Sequence, residues 1–146
     1  MGTTDSLLLN EQLCFPLYAL SREITGLYRP LLEELDLTYP QYLVMLVLWE
    51  QDGLAVCDLG SRLLLDSGTL TPLLKRLELK GFVTRTRCTD DERVVHLFLT
   101  DIGRSLREQA LDIPAKMLKN IDVEVEELNA LKITLNKIIN QIQKQL

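Results

Sequence analysis

Two places in this sequence combine residue types and spacings that could do chemistry. In LDSGTLTPLLKRLELKG, residues 65–81, a helical wheel puts Leu70, Leu73, Leu74 and Leu77 on one side. Ser67, Gly68, Thr69, Thr71, Pro72, Lys75 and Arg76 then point away, forming a small, hydroxylated, basic face. A helix entering the major groove of a duplex needs such a face, because bulk near its N-terminus would hold it off the base edges. The hydroxyls suit phosphates or bases, and the Arg76 guanidinium matches the paired acceptors of guanine. The plain alternative is an ordinary solvated helix face. The second place is Cys14, near the start of a long apolar stripe. Peroxides oxidise thiolates, an anion is stabilised by the unpaired N–H groups and positive dipole end of a helix start, and the first product is a sulfenic acid. The alternative there is a small apolar residue in a leucine stripe.

These groups need elements to hold them. Leu13, Leu17, Leu20, Ile24, Leu27, Leu31 and Leu35 follow steps of four and three, which predicts a long first helix. Pro16 is compatible only with its first turn, so the helix is expected to start between Gln12 and Phe15. In TYPQYLVMLVLWEQDG, Pro40 suits a first helical position and Gly53 a left-handed stop, and the apolar middle predicts a central helix. After an extended Leu54–Val56, the residues Leu59, Leu63 and Leu64 fit one face of a short third helix. Asp66 and Ser67 suit capping and Gly81 termination, which frames a helix of about 14 residues bearing the basic face. FVTRTRC and VVHLFLT read as strands of a hairpin with the charged tip TDDER. Arg85 and Arg87 share one strand face and could grip flanking phosphates. At the tip Asp91 can hold the Arg93 guanidinium extended, a form suited to a narrow minor groove, against the alternative of a merely solvated hairpin. Thr100 and Asp101 can cap a following helix reaching about Lys119, with a bend or break at Pro114. In the last helix Leu128, Leu131, Leu135, Ile138 and Ile142 form the seam of a packed helix pair.

The predicted fold class is therefore mainly α with a small β-wing: a winged helix-turn-helix with N- and C-terminal dimerisation helices. Residues 1–146 read as a single chain-length domain, with the winged region at 54–100 and dimerisation helices at 11–38 and 101–146. Two long apolar stripes exceed what one small core absorbs, so they are assigned to a two-fold interface between copies. The formal charge of -5 seems to oppose nucleic acid, yet the stretch from Ser67 to Thr89 holds five basic residues against one acidic; it is +4 and the remainder -9. The longest apolar run, Leu43 to Trp49, is far short of the ~18 residues of a membrane span. No basic residue precedes the first apolar run, so the N-terminus does not read as a secretory signal and the chain is expected in the cytoplasm. Three cysteines without metal-ligand spacing read as thiols, and the one histidine, His96, as a strand residue beside the wing. No catalytic triad, phosphate-binding glycine loop or paired-carboxylate signal appears, and no cofactor or metal is implied.

LDSGTLTPLLKRLELKG followed by DDER resembles the MarR family of winged-helix regulators. QLCFPLY, YRPLLEELDLTYPQYLVMLVLWE and LTDIGRSL narrow the similarity to the OhrR-type organic-peroxide repressors and their staphylococcal relatives, over about residues 11–114. The resemblance implies a homodimer on a pseudo-palindromic operator, with the helix around Ser67–Lys80 in the major groove and Arg93 in the minor. It further implies a peroxide-reactive Cys14 whose sulfur accepts hydrogen bonds from Tyr28 and Tyr39 across the dimer. The apolar neighbours Leu13, Phe15, Tyr18 and Tyr42 would favour organic hydroperoxides over hydrogen peroxide. No cysteine follows Cys88, so the chain resembles the branch that lacks a C-terminal resolving thiol. There a small cellular thiol captures the sulfenic acid as a mixed disulfide, or oxidation goes further. Cys57 and Cys88 read as buried structural thiols. Competing readings are release by a small phenolic ligand, a broader thiol-based global regulator, and a thiol peroxidase. Release without oxidation would favour the first and catalytic turnover of peroxide the last.

Overall fold

A computed structural model describes residues 5–146, which divide into two compact units, one reaching Leu111 and one running from Asp112 to Leu146. After a single 3-10 turn at Leu9–Glu11, the first unit comprises α1 (Cys14–Glu33), α2 (Tyr39–Glu50), α3 (Val56–Leu63), α4 (Ser67–Leu79), β1 (Val83–Arg87), β2 (Val95–Leu99) and α5 (Asp101–Ala110). The second comprises α6 (Ile113–Ile121) and α7 (Val125–Gln143). Pro16 falls in the first turn of α1, where its missing N–H has no intrahelical partner, so Cys14 is the first helical residue. Pro114 likewise opens α6; of the expected bend or break it is the break that occurs, and three helices rather than two follow the hairpin. Among the described residues no helix is long and apolar enough to cross a membrane.

The core of the first unit forms around α2, which packs on α1, α3, α4, α5 and β2. Tyr42, Val44, Met45 and Leu48 are buried, as the apolar run requires of a helix surrounded by others. Its start is a capping box: Gln41 N donates to Thr38 Oγ1 at 3.3 Å, and Thr38 N donates to Gln41 Oε1 at 3.0 Å. Past its end Gly53 takes φ 77°, and Asp52 Oδ1 accepts from Gly53 N and from Leu99 N, tying α2 to β2. Trp49 Nε1 donates to Gly103 O at 2.9 Å, tying α2 to α5.

Leu59 is fully buried on α3, but Leu64 leaves the helical face assigned to it. It is the left-handed C-cap, at φ 57°, and its side chain turns outward. Gly60 makes the tight turn to α4 feasible, since a Cβ there would meet Leu65 O at 2.8 Å. The extended segment before α3 pairs with the wing, Ala55 bridging His96 and Leu97 N donating to Leu54 O. His96 lies on β2 with Nδ1 3.0 Å from Gly53 O. The strands are antiparallel, with Val83 opposite Leu99, Arg85 opposite Leu97 and Arg87 opposite Val95. In the second unit α6 buries Ile113 and Met117, whereas α7 buries none of its residues.

Candidate functional site

On α4 the burial of Leu70, Leu74 and Leu77 fixes which side is left for a partner, with Leu73 half-buried beside them. Ser67, Gly68, Thr69, Pro72, Lys75 and Arg76 are exposed. Thr71 is half-buried and its hydroxyl donates to Ser67 O at 2.7 Å, which leaves that oxygen free only as an acceptor. The N-cap is Asp66, whose Oδ1 accepts from Thr69 N at 2.7 Å. Hydrogen bonds from the Thr69 side chain and backbone hold the Asp66 carboxyl below the usual carboxylate range.

The hairpin presents its charges unevenly. Arg93 donates through Nε to Asp91 Oδ1 at 3.1 Å and through its terminal nitrogen to Asp91 Oδ2 at 3.3 Å, yet its side chain is 91% exposed. The carboxylate thus holds the guanidinium in a fixed outward pose, and those bonds keep the Asp91 carboxyl below its ordinary range. Arg85 and Arg87 share a strand face, as the spacing requires, but it is the face that buries Val83 and Leu97 near the hairpin base. Arg85 consequently lies against α4 and donates to both oxygens of Glu78, at 3.3 and 3.2 Å. Arg87 donates across the hairpin to Glu92 O at 2.8 Å.

The redox candidates fall into two groups. Cys14 is exposed at the first residue of α1, flanked by Leu13, Phe15 and Tyr18, all exposed. Tyr42 does not join them: it is buried against Tyr28 and Tyr39, with ring centroids 5.7 and 6.4 Å away. Tyr28 and Tyr39 stand 4.7 Å apart, and the edge of Trp49 meets Tyr42 at 6.5 Å. Burial, reinforced by the neighbouring Tyr39 and Tyr42, pushes the Tyr28 phenol up to about 12, and burial raises Tyr39 and Tyr42 as well. These phenols are therefore O–H donors at any physiological pH. Fourteen residues of helix separate Cys14 from Tyr28, about 21 Å at 1.5 Å per residue. A contact between that sulfur and that phenol requires a second copy of the chain.

Cys57 is exposed on α3, its sulfur 4.0 Å from Asp58 Oδ1, and Cys88 is half-buried just after β1, so the expected burial fails for Cys57 and is only partial for Cys88. The first turn of a short helix whose inward residue is Leu59 leaves position 57 facing out. Among the described residues no cluster of three His, Cys, Asp or Glu could hold a metal ion. The capping box of α2 and its contact with Lys80 were missed in the sequence; T-x-x-Q at residues 38–41 carries the signal.

The family described as "Transcriptional regulator SarA/Rot" matches residues 26–110, which hold α2–α5, the wing and all three residues of the tyrosine cluster. The chain belongs to this family of winged-helix transcriptional regulators. Members are regulators of transcription rather than enzymes. The "Organic hydroperoxide resistance transcriptional regulator" of Bacillus subtilis is 48% identical over 141 residues, covering 97% of this chain and 96% of that one. Reduced AbfR bound to DNA, a protein of Staphylococcus epidermidis, superposes with a TM-score of 0.81 at 34% identity, covering 93% of each chain. Overoxidized AbfR bound to DNA gives 0.77 at 34% identity, over 92% of this chain and 94% of that one. The family thus has the MarR-type winged helix that the sequence motifs indicate.

Proposed function

We propose that this regulator is a redox-sensing repressor that binds operator DNA as a homodimer while Cys14 is reduced, and lets go when an organic hydroperoxide oxidises that sulfur. The observation that carries the reading is the separation of an exposed Cys14 from the half-buried Tyr28 phenol by about 21 Å of one helix, a site that only two copies complete. In the dimer the Tyr28 and Tyr39 hydroxyls of one copy donate to the Cys14 sulfur of the other, stabilising the thiolate. Leu13, Phe15 and Tyr18 then form an apolar wall that suits the organic part of the oxidant, while the buried Tyr42 backs the Tyr28 and Tyr39 rings.

The thiolate attacks the terminal oxygen of the hydroperoxide. The O–O bond breaks, the alcohol leaves after taking up a proton, and Cys14 becomes a sulfenic acid. A small cellular thiol then displaces the hydroxyl as water, giving a mixed disulfide. Since an overoxidized relative is described as bound to DNA, the bulky disulfide is the better candidate for the released form than a higher sulfur acid. On DNA, Ser67, Thr69, Thr71, Pro72, Lys75 and Arg76 face the major groove, and Arg93, aimed by Asp91, enters the minor groove. Arg85 and Arg87 reach phosphates only by exchanging their acceptors on Glu78 and Glu92, which makes them the weaker contacts. A repressor acting on operators would do so in the cytoplasm.

A gel shift on promoter fragments, with reduced protein and after cumene hydroperoxide plus a small thiol, tests this when paired with intact mass. Wild type should release DNA as Cys14 gains the thiol's mass, while Cys14→Ser should bind with near-wild-type affinity and stay bound. Release of the serine variant by peroxide removes Cys14 from the mechanism.

A further inference from the structure

The sensor residues and the DNA-reading helix belong to different elements, and one polar cluster joins them. Gln41 is a buried polar side chain, 2% exposed, in a layer otherwise made of leucine, valine and methionine. Its Oε1 serves the capping box of α2 and also accepts from Lys80 Nζ at 2.9 Å. The same ammonium donates to Asp36 O and lies 3.5 Å from Asp36 Oδ1, so its three hydrogens have three acceptors, two on the turn between α1 and α2 and one in the first turn of α2. That turn is stiff: Asp36 is left-handed at φ 56°, and Leu37 N donates to Leu32 O.

Each end of this cluster touches something that matters. Tyr39, whose ring lies 4.7 Å from that of Tyr28 at a tilt of 33°, is the first residue of α2 and lies in the chain between Thr38 and Gln41, the two halves of the capping box, so a backbone shift at Tyr39 moves the cap. Lys80 is the C-cap of α4, and the next residue, Gly81, accepts from the Thr100 hydroxyl at the base of the wing. A movement of Lys80 therefore carries both the recognition helix and the hairpin. Only 24% of its side chain is exposed, so this lysine is turned toward the protein although it lies in the basic segment.

We infer that Lys80 is a positioning residue for the switch, the strut through which a displacement of the Tyr28–Tyr39 pair reaches α4 and the wing by way of Gln41 and the α1–α2 turn. This rests on the reading of Cys14 and its tyrosines given above. Lys80→Met keeps the apolar stem and removes the three donors. In the full-length protein with cumene hydroperoxide and a small thiol, Cys14 of the variant should be modified within about two-fold of the wild-type rate by intact mass. The ratio of operator Kd after and before oxidation should fall by about 5-fold or more, the range expected when one link in a coupled pair is cut. Because it is a ratio, any direct loss of charge at the DNA cancels. An unchanged ratio overturns the proposal. A cycle of Tyr39→Ala, Lys80→Met and the double variant, read as operator Kd of reduced protein, should depart from additivity by about 3-fold or more, as contacting networks do. Additive effects also overturn it. That arm involves no oxidation, so it decides the role of Lys80 even if wild type stays on DNA after Cys14 is modified, a result that would sink the redox reading alone.

Discussion

At the scale of single residues, the Asp91–Arg93 pair shows how little chain is needed to aim a charge. Two hydrogen bonds from one carboxylate hold a guanidinium outward that would otherwise sample many rotamers over the surface. Arg93→Ala should weaken operator binding by about 1–3 kcal/mol and lower the salt slope by roughly one unit. Asp91→Ala should weaken it less and keep the slope, because the cation remains and only its order is lost. Equal losses from both, measured by fluorescence anisotropy across a salt series, would mean that Asp91 does more than orient. The pH dependence has a definite sign. The folded Asp91 carboxyl is held below its ordinary range, so the clamp is intact above that range and is lost only as pH falls through the lower folded value. Operator affinity between pH 6 and 8 should therefore carry no contribution from Asp91 titration.

At the scale of elements, the tyrosine cluster lets the packing of α1 against α2 be read as a titration. Tyr28 ionises only near 12, through burial first and the charges of Tyr39 and Tyr42 second. A folded value above the unfolded value near 10 means stability that is complete below pH 10 and falls as pH rises toward 12. Tyr28→Phe should flatten the loss of stability in that window, and urea melts at pH 9, 10 and 11 give the comparison. Much of this layer was legible in the sequence: leucine spacing gave α1 and the faces of α4, Pro16 gave a helix start, and the D-x-R tip gave the clamp, while Gly53 is left-handed as expected but lies past the end of α2, which stops at Glu50. What stayed hidden depends on which elements meet. Strand period put Arg85 and Arg87 on one face but could not say that this face lies over α4 with Glu78 in reach. Leu64 fits the leucine pattern of α3, yet the chain reverses there to bring Gly60 against Leu65, and the residue leaves the helix. Cys14 and Tyr28 sit on one helix, and no pattern within a single chain brings them together.

For the whole molecule the question is what covers its apolar surface. Leu13 and Leu17 on the N-terminal part of the chain, and Leu131, Ile138 and Ile142 on α7, remain exposed, and α7 buries none of its nineteen residues. A helix of that length with a heptad-like apolar seam is marginal alone in water and stable when a second helix fills the seam. A two-fold partner would supply that helix, bring each Cys14 to the other copy's tyrosines, and set two α4 helices about one DNA turn apart, roughly 34 Å. Dimerisation, sensing and operator spacing would then be one interface with three consequences. Leu131→Glu with Ile138→Glu places carboxylates in the seam, where an unpaired charge strongly disfavours association. At micromolar concentration this variant should sediment as a monomer, with α4 and the wing still folded by circular dichroism. Its operator affinity should fall by about 100-fold or more, since each half-site contact then forms without the effective concentration supplied by the other. A variant that stays dimeric would move the interface away from α7, and a monomer holding the full operator at wild-type affinity would show that the two recognition helices do not act as a pair.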